Sequence, residues 1–70
     1  MSVTREYVVS GMHCQHCAGS VTEEVFAVSG VTDVKVDLDS GQLVVISDSE
    51  IPFPNIEAAV DEAGYSVATA

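Results

Sequence analysis

Apolar residues fall along this chain in two rhythms. Tyr7-Val8-Val9 is a short apolar run halted by Ser10-Gly11, which reads as a strand. From Cys17 onward, Val21, Val25 and Val28 recur at i, i+4 and i+7, the stripe of a helix. Glu23 and Glu24 near its beginning suit the positive end of the helix dipole, and Gly30 stands where helices often stop. Val31 to Leu38 alternates through its second half, predicting a half-buried strand with Val34, Val36 and Leu38 inward. Asp39-Ser40-Gly41-Gln42 reads as a hairpin connection, and Leu43-Val44-Val45-Ile46 as the next strand. A second helix is expected over Phe53 to Ala63, burying Ile56, Ala59, Val60 and Ala63, with Pro52 and Pro54 confined to its entry. Gly64 ends it, and Tyr65-Ser66-Val67-Ala68 is the last strand.

The order is βαββαβ. It predicts an α+β, ferredoxin-like fold: a four-stranded antiparallel sheet with both helices on one face. If Tyr7, Val9, Leu43 and Val45 point inward, Val8, Val44 and Ile46 fall on the open face, where they are either a contact patch or an expression of strand propensity. Seventy residues fit a single domain over 1–70. A chain this short buries roughly 60% of its unfolded surface, too little to enclose a large pocket, so a site is expected on a surface loop.

Gly11-Met12-His13-Cys14-Gln15-His16-Cys17 holds both cysteines, at the junction of the first strand and first helix. Unpaired N–H groups and the dipole at a helix start favour thiolate over thiol. Two thiolates on one exposed turn suit a soft metal ion or redox chemistry. A thioredoxin-type motif also places CxxC before a helix, but it commonly has proline between the cysteines, where this chain has Gln15-His16. A closed zinc site needs four ligands and would have to draw on His13 or His16 and a carboxylate. Cys14 and Cys17 alone suit Cu(I), a soft ion content with two thiolates and able to accept a third sulfur from a partner.

His16 could donate a hydrogen bond to a thiolate, although a histidine on a loop is most often simply solvated; His13 falls under the same reading. Met12 is better read as a hydrophobic plug for the loop than as a ligand. Tyr65, at the helix-to-strand junction that a ferredoxin-like fold puts at the same end as the cysteine loop, can reach the cysteine pair or be an ordinary edge-of-core aromatic.

With two basic residues against 11 acidic ones, the net charge is −9. Nucleic acid and anionic membrane surfaces are poor partners for such a chain, whereas a positively charged protein would be steered toward it. No window approaches the roughly 20 apolar residues of a membrane span. Met1 to Glu6 lacks the apolar segment of a secretory signal, which predicts cytoplasmic residence and reduced cysteines.

GMxCxxC between the first strand and first helix of a βαββαβ chain resembles the heavy-metal-associated (HMA) domain, and Gly64-Tyr65 is similar to its bacterial copper-chaperone branch. The resemblance covers the whole chain. It implies that Cys14 and Cys17 bind the metal, with Cys14 leading ligand exchange, that Met12 is the buried methionine, and that Tyr65 shields the site. Zinc- and cadmium-selective relatives commonly carry an acidic residue beside the first cysteine; His13 stands there, which favours Cu(I). The implied function is delivery of one Cu(I) to the metal-binding domain of a copper-transporting P-type ATPase, with a copper-sensing repressor as a second candidate recipient. No bond-making chemistry beyond ligand exchange is implied, so no enzyme is expected. A monomer is expected, a copper-bridged pair of copies being the alternative. The runner-up is the soluble N-terminal metal-binding domain of a copper or zinc P-type ATPase. The Met1 start and the absence of a linker after the last strand favour a free protein. A dithiol oxidoreductase is the third reading. The related periplasmic mercury carrier would need a signal peptide, and none is seen.

Overall fold

The computed structural model describes residues 2–12 and 15–69. The elements run β1 (Val3–Ser10), α1 (Gln15–Phe26), β2 (Val31–Asp37), β3 (Gln42–Ser47), α2 (Phe53–Glu62) and β4 (Ser66–Thr69). The sheet order is β2-β3-β1-β4, and each neighbouring pair is antiparallel. This is the ferredoxin-like arrangement that the order of periodicities predicts. No helix among the described residues is long and apolar enough to cross a membrane.

The core lies between the sheet and the two helices. Tyr7 and Val9 from β1, Leu43 and Val45 from β3, and Val34 from β2 meet Val21 and Val25 of α1 and Ile56, Ala59 and Val60 of α2. The helical stripes and the alternation of β2 assign Val34 and the helix residues inward, and the sheet turns Tyr7, Val9, Leu43 and Val45 of the uninterrupted apolar runs to the core. Val36, Leu38 and Ala63 pack at its margin, half-buried. Tyr7 stacks obliquely on Phe53 at the entry of α2, ring centroids 5.9 Å apart. Burial raises the pKa of the Tyr7 phenol; the nearby Arg5 charge opposes the rise and Glu50 adds to it.

Element ends differ from the sequence reading for local reasons. β1 begins four residues before Tyr7, because Val3 to Glu6 pair with Ser47 to Val44 of β3 although three of the four are polar. α1 ends at Phe26, before Val28 completes its stripe. The Val28 N–H donates to the Val25 carbonyl and the Val31 N–H to that of Val28, so the chain leaves in tight turns while Val28 still reaches the core. Phe26, 51% exposed, points away from it.

The β2–β3 hairpin folds its tip onto the end of β1. The Val9 N–H donates to the Gly41 carbonyl at 2.8 Å, and a Cβ built on Gly41 would lie 2.8 Å from the Val9 carbonyl oxygen. Backbone meets backbone there, so only glycine fits. On the open face, Val44 stands between Lys35 and Glu6, Ile46 between Asp33 and Thr4, and Val8 between Gln42 and Ala68. Only Val8 of the three aliphatics is exposed, at 40%, so polar neighbours interrupt the apolar surface.

Candidate metal site

The loop joining β1 to α1 is held at both of its described margins. Met12 is buried within the core cluster, as a plug and not as an exposed side chain. Ala18 is buried on the far side of the turn. Between them, Cys17 sits in the first turn of α1, half-buried and packed against the core margin. Gln15 and His16 are exposed. The His16 backbone carbonyl accepts a hydrogen bond from the Ser20 hydroxyl at 3.3 Å, within the helix. His13 and Cys14 lie outside the described residues. Among the described residues no group of three or more His, Cys, Asp or Glu side chains is placed to hold a metal.

Tyr65 arrives at this end of the molecule through the termination of α2. Gly64 takes φ +93°, its N–H donates to the Asp61 carbonyl at 2.9 Å, and the Tyr65 N–H donates to the Val60 carbonyl at 3.1 Å. This paired closure is the Schellman motif, which stops the helix and fixes the direction of the next residue. Tyr65 therefore belongs to the cap, and β4 starts one residue later than the sequence suggests, at Ser66. Its half-buried ring lies against the start of the metal loop: a Cβ built on Gly11 would stand 3.4 Å from the Tyr65 Cδ1. The structure thus brings Met12, Cys17 and Tyr65 to one end, with His16 exposed beside them.

A groove of about 420 Å³ runs beside Tyr65, between α2 and the head of β4, lined by Glu57, Asp61, Ser66 and Val67 among others. Glu57, Asp61 and Tyr65 follow at intervals of four along α2 and its cap, the spacing that sets the two carboxylates and the ring along one groove.

Residues 6–66 match the heavy-metal-associated domain. The chain belongs to that family. Copper chaperone CopZ of Bacillus subtilis is 38% identical over 61 residues, which are 86% of this chain and 88% of that protein. A solved structure of a CopZ metallochaperone superposes with a TM-score of 0.85 at 31% identity, covering 94% of this chain and all of that one (100%). The copper-binding domain of HMA7, a P-type ATPase, superposes with a TM-score of 0.89 at 25% identity, over 100% of this chain and 95% of the domain. The HMA fold explains why the cysteine motif opens α1 and why the cap of α2 faces it: the β1-to-α1 junction and the α2-to-β4 junction lie at one end of the sheet.

Replacing Gly64 tests this placement of Tyr65. Gly64→Ala forces a Cβ into a left-handed backbone and should cost about 1–2 kcal/mol in urea unfolding. The same change should weaken nuclear Overhauser contacts between the Tyr65 ring and Gly11. Gly64→Asn should recover part of both, since asparagine tolerates this conformation. Unchanged stability and contacts in Gly64→Ala would contradict the capping role.

Proposed function

We propose that this protein is a cytoplasmic Cu(I) chaperone, a single metal-binding domain over residues 1–70 that carries one Cu(I) between the thiolates of Cys14 and Cys17. The observation that carries the reading is the setting of Cys17. It lies in the first turn of α1 at the core margin, in an HMA chain that spans 88% of Bacillus subtilis CopZ. Thiolates are soft donors, and a pair of them matches a soft monovalent ion while leaving it open to a further sulfur. Transfer then proceeds by ligand exchange: an incoming thiolate joins the copper, one of the protein's thiolates leaves, and the ion is never free. Cys14, the first cysteine of the motif, leads that exchange. Cys17, on the helix, is the anchor. Met12 holds the loop from below and Tyr65 shields the site from the side. His13 and His16 act around the site through hydrogen bonding and charge. No covalent chemistry is performed on a substrate, so the protein is a carrier and not an enzyme.

The recipient we propose is the metal-binding domain of a copper-transporting P-type ATPase, with a copper-sensing repressor as the alternative recipient and a monomer as the working state. The likeness to the HMA7 domain supports a second reading, in which this chain is itself such an ATPase domain. Both readings share the metal site and differ in the direction of transfer.

Anaerobic titration of the reduced protein against Cu(I) chelators should give one Cu(I) per chain. Cys14→Ser or Cys17→Ser should each weaken binding by more than the roughly 10–100-fold typical of losing a group behind the ligands. Tight one-to-one binding by the double serine variant would overturn the assignment.

Docking is a matter of charge. The Glu57 and Asp61 carboxylates flank the groove beside Tyr65, and a basic surface around the recipient's own cysteines would seat there. Glu57→Lys/Asp61→Lys should slow transfer at low salt by about tenfold and flatten its salt dependence. Asp33→Lys/Asp48→Lys, the same charge change toward the other end of the sheet, should do much less. Equal effects from the two pairs would mean that net charge alone is sensed.

A further inference from the structure

Four of the five glycines stand where the backbone takes a positive φ: Gly11, Gly30, Gly41 and Gly64. Gly19 does not. It lies inside α1, and a Cβ built on it meets nothing within 4 Å. Neither its backbone conformation nor the packing around it calls for glycine. The helix nevertheless bears the cost, because glycine within a helix gives up more backbone freedom than alanine. α1 is only 12 residues long, close to the length at which a helix is marginal by itself. The Ser20 and Thr22 hydroxyls bond back to the His16 and Ala18 carbonyls, which weakens it slightly further. A better helix former at position 19 would strengthen α1 and disturb nothing inside the molecule.

The place of Gly19 suggests what a side chain there would disturb outside it. Gly19 is exposed and follows Gln15 by four residues and His16 by three, so the three share the solvent side of the first turns of α1. It stands about 3 Å further along the helix axis than Cys17. Two turns on, about 10 Å away, Phe26 comes round to the same side and is 51% exposed. This side of α1 therefore sets a stretch of bare backbone in line with an uncovered aromatic ring. Bare backbone admits another main chain closer than a Cβ allows, and an exposed ring has apolar area to cover.

Handover by ligand exchange brings the recipient's main chain to the cysteine turn. Even a transient interface covers on the order of several hundred Å² on each partner. A recipient whose sulfur reaches the metal beside Cys17 thus extends over Gly19. We propose that Gly19 is the close-approach point of that encounter: the main chain of the recipient metal-binding domain rests on α1 at Gly19, and one of its apolar side chains covers Phe26. The missing Cβ trades helix stability for access. This role deepens the carrier reading and rests on it.

The test sets stability against transfer. Gly19→Ala should raise Tm by roughly 4–8 °C, the shift expected when a helix glycine is replaced in a domain of this size, and leave the Cu(I) affinity unchanged. In stopped-flow transfer of Cu(I) from the loaded protein to the HMA7 copper-binding domain, the same variant should be slowed about fivefold or more, the scale of one extra methyl forced into a packed contact. Gly19→Leu should be slower still, and Phe26→Ala should lose several-fold. Removal of Cu(I) by bathocuproine disulfonate, a small chelator with no main chain to seat, should keep the wild-type rate in all three. Ser20→Ala strengthens the same helix without adding bulk and should transfer to the domain as the wild type does. Wild-type transfer by Gly19→Leu or Phe26→Ala would overturn the proposal. Equal slowing by Ser20→Ala, or equal slowing toward the small chelator, would also overturn it, because the effect would then lie in helix stiffness. A wild-type protein that binds Cu(I) and passes none to the domain would overturn the carrier reading itself, and the role of Gly19 with it.

Discussion

The anchoring of the cysteine turn by buried Met12 and Ala18 is the interaction on which the rest of the account depends. A carrier's thiol pair has to be exposed enough for a partner's sulfur to reach the metal, and fixed enough that two donors converge on one ion. Exposure and order oppose each other in a loop, because ordering a residue's backbone costs roughly 1–2 kcal/mol. Burying an apolar side chain of methionine size returns about 1.5–3 kcal/mol relative to leaving it in water. One such side chain before the motif and one small buried residue after it hold the margins while Gln15 and His16 remain in solvent. The hydrogen bond from Val9 to the hairpin tip at Gly41 holds the strand that leads into the same loop.

The two ends of the sheet are built differently. At the metal end, the cap of α2 delivers an aromatic ring against Gly11 and leaves two carboxylates beside a groove. At the other end, one of the chain's two basic residues, Arg5, is paired with Glu50 near Tyr7. Glu57 and Asp61 have no ion-pair partner among the described residues, and acidic charge of this kind suits brief, oriented encounters with a basic partner. A large apolar contact would instead make release slow. The open sheet face fits this division, since its aliphatics alternate with charged and amide side chains across the strands.

The inward set of β2 was legible because Val34, Val36 and Leu38 alternate with polar residues, whereas Tyr7-Val8-Val9 and Leu43 to Ile46 are apolar at every position and take their inward sides from packing in the sheet. Met12 was legible as a plug because a lone methionine beside a core strand has more to gain inside than out. The first half of β1 was not legible: Thr4, Arg5 and Glu6 carry no apolar signal, and their strand conformation comes from pairing with β3, which is a tertiary effect. Val28 misled the helix boundary because a residue just past a helix can still reach the core through tight turns. Tyr65 was placed at the correct end from topology, but its membership of the cap needed the backbone geometry at Gly64. The position of Glu57 and Asp61 beside it could have been read from their spacing. Phe53 gave no sign of its contact with Tyr7, because the two are far apart in sequence and Phe53 lies outside the buried stripe of α2.

The central claim is that two cysteine sulfurs hold the copper. Copper K-edge X-ray absorption on the reduced protein loaded with one equivalent of Cu(I), at a concentration where it remains a monomer, tests that claim most directly. The account predicts an edge characteristic of low-coordinate Cu(I) and a first shell of sulfur, with Cys14→Ser and Cys17→Ser each removing one sulfur neighbour. A first shell dominated by nitrogen from His13 or His16, or one that is unchanged in both serine variants, would contradict it.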